Sequence, residues 1–142
     1  MLLANQVTLK QASTFKGLLS ETLFNSGSKN SPWLASSVVS LTNSDKSAPM
    51  TVTFRLSLNN RLQPETYSET VPPAGTISVP SQFSFDKGCK KCGGLLVGNN
   101  RVILLARASG AGDLIVSSAS LTALRPIVVP PGRSYFTGPA EP

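Results

Sequence analysis

The densest chemistry in this sequence is the run Asp86-Lys87-Gly88-Cys89-Lys90-Lys91-Cys92-Gly93-Gly94. Two thiolates spaced Cys-x-x-Cys, with glycines to permit a tight turn, can grip one zinc ion. Lys90 and Lys91 would favour the thiolate form by lowering the thiol pKa. A closed zinc site takes four ligands, and the 142-residue chain offers two cysteines and no histidine. Zinc on Cys89 and Cys92 therefore requires ligands from another subunit or carboxylates such as Asp86. A redox disulfide is a second reading, although no helix N-terminus follows the motif. A glycine-rich turn with two incidental cysteines is the third. A lone CxxC does not choose among them.

Other catalytic groups are sparse. The absence of histidine removes the commonest general acid–base and the usual partner of a nucleophile. Glu65 and Glu69 are the only closely spaced carboxylates, and on one face of a strand they stand about 13 Å apart. No glycine-rich phosphate loop and no nucleophile elbow is present. These features disfavour a hydrolase and point to a protein that works by binding. One Trp and two Tyr leave few stacking platforms for a sugar-binding module. Thirteen Lys and Arg against seven acidic residues give a net charge of +6, but only Lys90 and Lys91 are adjacent. Such scatter implies a solvated basic surface, with nucleic acid an unlikely partner. No apolar run reaches the ~18 residues of a membrane span, so no membrane partner is expected. Met1-Leu2-Leu3-Ala4 leads straight into Asn5-Gln6, unlike a signal peptide, which implies synthesis in a cytoplasm.

The elements that must carry any site are strands. Charged residues are 14% of the chain, well under the roughly 25% of an average domain, and Ser, Thr, Asn, Gly and Pro take their place. Met50–Leu58 alternates strictly, with Val52, Phe54, Leu56 and Leu58 on the side expected to form the core. Residues 33–42 read as the preceding strand, paired with it as an antiparallel hairpin. A short strand over 76–79 follows Pro72-Pro73-Ala74-Gly75 and ends at Pro80, which confines it to a sheet edge. Residues 101–108 and 114–124 are two further strands around Ser109-Gly110-Ala111-Gly112. The small residues Ser117, Ser118, Ala119 and Ser120 suit either close approach of a neighbour or a solvent face. In the uncertain N-terminal segment 1–30, residues 6–11 and 17–25 permit strands, while 9–19 also permits a helical turn.

Residues 125–142 differ in composition. Pro126, Pro130, Pro131, Gly132, Gly138, Pro139 and Pro142 exclude a central strand, yet Ile127, Val128, Val129, Tyr135 and Phe136 are apolar. The expectation is an all-β, single-domain, antiparallel β-sandwich or jelly roll over 1–124, with an extended Pro-rich C-terminal arm over 125–142 docking through those five residues.

The order Val38-Val39-Ser40-Leu41-Thr42-Asn43-Ser44, then M-T-V-T-F-R-L, then Val71-Pro72-Pro73-Ala74-Gly75, then V-I-L-L-A-R-A-S-G-A-G-D-L resembles small β-sandwich virion proteins of tailed bacteriophages. These include capsid cement (decoration) proteins and head–tail components. The matching turns are Asn43-Ser44, Pro73-Ala74-Gly75 and Ala108-Ser109-Gly110, the last joining the final two strands as a hairpin; the Gly88–Gly94 insertion departs from the pattern. The resemblance implies a non-enzymatic cement protein on the capsid surface, bound to the major capsid protein and forming homo-oligomers, trimers by analogy. A neck or tail component, or a carbohydrate- or cell-surface-binding module, is the alternative. No cofactor is implied apart from a zinc ion that Cys89 and Cys92 would hold with ligands from another subunit.

Overall fold

The computed structural model describes residues 1–25, 33–85 and 98–124. These residues form eight strands: β1 (Val7–Lys10), β2 (Lys16–Asn25), β3 (Trp33–Asn43), β4 (Met50–Leu58), β5 (Arg61–Val71), β6 (Thr76–Phe85), β7 (Gly98–Ser109) and β8 (Asp113–Leu124). No helix occurs among the described residues. The first sheet has the order β1-β8-β3-β6 and the second β2-β7-β4-β5. All pairings within them are antiparallel.

The period-two pattern explains why the sheets face one another. On β4, Met50, Val52, Phe54, Leu56 and Leu58 are buried, while Thr51, Thr53 and Arg55 point outward and are partly exposed. On β7, Val102, Leu104, Ala106 and Ala108 are buried in register with them. Ala35, Val39 and Leu41 of β3, Val79 and Phe83 of β6, and Leu114, Val116 and Leu121 of β8 come from the opposite sheet into the same apolar cluster. Each such aliphatic or aromatic side chain contributes roughly 1.5–3 kcal/mol on leaving water.

Strand pairing differs from the sequence expectation in two places. β3 and β4 do not form a hairpin: β3 lies between β8 and β6, and β4 between β7 and β5 in the other sheet. Asn43 supplies the physical reason. Its buried amide donates to Ala48 O (2.9 Å) and Val71 O (3.2 Å), and its Oδ1 accepts from Asp45 N (2.9 Å). That network bends the chain out of one sheet and into the other. The turn at Ser109-Gly110 is likewise no hairpin, because β7 and β8 belong to different sheets. Gly110 has φ +140°, and a Cβ there would lie 2.9 Å from Met50 Cγ. Glycine is what allows the chain to cross over the core's rim at this point.

The hairpin that does form joins β4 and β5 through Asn59 (φ 51°) and Asn60 (φ 68°), the left-handed pair of a two-residue turn. No strand was expected over β5. β6 runs on through Pro80 to Phe85 as an edge strand, where the missing N–H does no harm. Where a helical turn was one option, β1 and β2 stand with irregular chain between them. In β8, Ser40 pairs Ser118 while Leu41 pairs Val116, so Ser117 is a bulge.

Candidate functional site

Cys89 and Cys92 lie between the end of β6 and the start of β7, outside the described residues. Ile127, Val128, Val129, Tyr135 and Phe136 lie beyond β8, also outside them. Val52, Phe54, Leu56 and Leu58 are at most 2% exposed and line the core. The carboxylates are dispersed. Glu21 faces the ammonium of Met1 at 3.1 Å, and Glu65 accepts from Ser84 N at 3.2 Å. Asp45 accepts from Ser47 N and Oγ and from Ala48 N, and these bonds, the Ser47 backbone first, hold its carboxyl below the usual value of 3.8. Among the described residues no three His, Cys, Asp or Glu side chains could share a metal ion. None of their helices is long and apolar enough to cross a membrane, the described chain having no helix at all.

Three turns, around Asn43-Ser44, Ala74-Gly75 and Gly112-Asp113, meet at one end of the molecule. Asn43 N donates to Gly75 O, Ala74 N to Asp45 O, and Ser44 N to Asp113 O, at 2.8–2.9 Å. Ser44 Oγ accepts in turn from Asp113 N at 2.9 Å. Each of these three turns bonds to another of them, so this end is a structural clasp.

The outward faces of the two sheets are chemically unlike. On the first sheet the outward positions are mostly hydroxyls, which pair across strands: Ser40 with Ser78 at 2.8 Å and Thr42 with Thr76 at 2.7 Å. Only Lys10 and Asp113, register partners at one end, carry charge there among the described residues.

The second sheet presents arginines. Arg101, Ile103, Leu105 and Arg107 occupy alternate positions of β7, opposite in parity to the buried Val102, Leu104, Ala106 and Ala108. Arg55 of β4 pairs in register with Leu105, so it joins the same face beside Arg107. Phe15, from the β1–β2 connection, lies under both guanidinium groups, 4.8 Å from Arg107 and 5.8 Å from Arg55. Arg107 donates to Ser13 O (3.2 Å) and Arg55 Nε to Gln63 O, which orients the pair. Toward the other end of β7, Phe24 of β2 is 63% exposed and pairs with Asn99, two positions from Arg101. Beside Arg101 is an open depression of about 350 Å³ lined by Ser20, Thr22, Asn59, Asn99, Asn100 and Arg101. No carboxylate occupies a described outward position of this sheet.

Sequence reasoning overlooks this face because Phe15, Arg55 and the Arg101–Arg107 pair of β7 are far apart along the chain. Their outward parity on β4 and β7 was legible; the pairing of those strands was not. Comparison of the chain with protein-family models, with curated proteins and with solved structures finds no match.

Proposed function

We propose that this chain is a non-enzymatic structural protein of a virus particle, a jelly-roll β-sandwich that acts by assembling with copies of itself and with other virion proteins. The strand order carries this reading. Sheets ordered β1-β8-β3-β6 and β2-β7-β4-β5, with every connection except β4–β5 passing from one sheet to the other, match the eight-stranded double-Greek-key jelly roll. That architecture recurs in capsid subunits, lectins and cupins. The lack of histidine weighs against a catalytic member, and the scarcity of Trp and Tyr against a sugar-binding one.

The edges of the sheets favour assembly through faces. β1 is only four residues long, β2 is bulged at Leu18, β5 contains Pro64 and β6 contains Pro80. Each device discourages strand addition. Faces, loops and the Pro-rich arm are left to make contacts, as in a cement protein bound to a shell. The direct test is mass spectrometry of purified particles from the source that carries the gene. The chain should be present in many copies per particle. Its absence from particles, with abundance in the soluble cell fraction, would overturn the reading.

A further inference from the structure

We infer that the outward face of the second sheet binds single-stranded nucleic acid, with Arg55, Arg101 and Arg107 on the phosphates and Phe24 offered to a base. The inference stands on the chemistry of this face and does not depend on the particle reading. Arg101 and Arg107 are six residues apart on one strand, so the cationic track is about 20 Å long. That length suits about four nucleotides. Arg101 has no side-chain partner among the described residues, and Arg55 uses only Nε, so guanidinium nitrogens remain for phosphate oxygens. Carboxylates are missing from the face, and the opposite sheet is nearly uncharged. Three of the chain's thirteen basic residues thus align on one described face, with no carboxylate beside them.

Single strands fit better than a duplex or an acidic protein. Between and beside the arginines stand Ile103, Leu105, Phe15 and Phe24, all partly or largely exposed. A duplex presents phosphate rails and keeps its bases stacked, so it leaves those groups unused. Unstacked bases use both, phosphates on arginine and base faces on aromatic and apolar side chains. An exposed phenylalanine beside an unpartnered arginine is that combination in miniature.

Fluorescence anisotropy with labelled oligo-uridylate of about 12 nucleotides tests this on the full chain. With three arginine–phosphate contacts, log K should fall against log salt with a slope near −2. The triple variant R55Q/R101Q/R107Q should then bind about 100-fold more weakly at about 0.1 M salt. Arg101→Gln alone, at an exposed and unpartnered site, should reduce the slope by about 0.7 with an unchanged melting curve. Phe24→Leu should weaken binding about tenfold while leaving the slope alone. Lys46→Gln and Arg61→Gln, off the face, should change neither. No binding at low salt, or binding indifferent to Arg101, overturns the inference. Equal affinity for poly-glutamate or duplex DNA, unaffected by Phe24→Leu, also overturns it and points to an acidic protein or a duplex.

Discussion

Phe54 is enclosed completely by the two sheets, and Phe54→Ala should lower the unfolding free energy by about 3–5 kcal/mol in a urea titration. A loss under about 1 kcal/mol would mean that the site collapses around the smaller residue. Ser37 behaves in the opposite sense. It pairs in register with Ser81 inside the molecule, and neither hydroxyl has a hydrogen-bond partner among the described residues. Ser37→Ala removes an unsatisfied buried group and should raise stability by about 1 kcal/mol; a loss would reveal a partner for the hydroxyl. Asp45 makes the clasp sensitive to acid. Its folded pKa is lowered, so its contribution is complete above 3.8 and disappears as pH falls through the folded value. Asp45→Asn should therefore lower the urea midpoint at neutral pH and flatten its decline below about pH 4. An unchanged acid limb would assign that limb to other carboxylates.

At the scale of elements, strands were more legible than partners. The alternation over β4 needs only nine adjacent residues, because side-chain period is local. Which strand lies beside β4 depends on how residues 44–49 turn, and that rests on one buried asparagine bonding to Val71, 28 residues away. β5 escaped notice for a different reason. As an edge strand it has little to cover, and its positions opposite Val52 and Phe54 are Glu69 and Tyr67. The arginine face shares this difficulty, since only the β4–β7 register brings Arg55 to Arg107. Gly110 shows how narrow the crossing between sheets is. Gly110→Ala combines a left-handed φ with an overlap on Met50, and should cost about 1–3 kcal/mol. Thermal melts would measure it, and a neutral result would show that the arch can shift.

For the whole molecule, the described residues of the two sheets close on a common core that runs from Leu9 to Leu121, and the body is predicted to fold without the Pro-rich segment. Deleting residues 126–142 should leave the β-type circular dichroism and the melting temperature unchanged while weakening oligomer or particle binding. Failure of the truncated chain to fold would make the segment part of the core. Undiminished assembly would leave the sheet faces as the contact surface. The contrast between a hydroxyl face and an arginine face gives the body two distinct sides, which suits a layer with different partners above and below it.

The pairing of β1 with β8 also bears on how the protein is made. Val7 through Lys10 must wait for Val116 through Asp113, more than a hundred residues later, before that edge of the first sheet is complete. During synthesis at roughly 5–20 residues per second, the early strands spend seconds as unpaired apolar ribbons. Few local contacts can hold them meanwhile, and such non-local topologies fold in about milliseconds to seconds once the chain is whole. The nascent chain is thus most exposed to misassociation just before β8 emerges, and ribosome-bound lengths stopped before residue 113 should remain protease-sensitive while those that expose β8 become resistant.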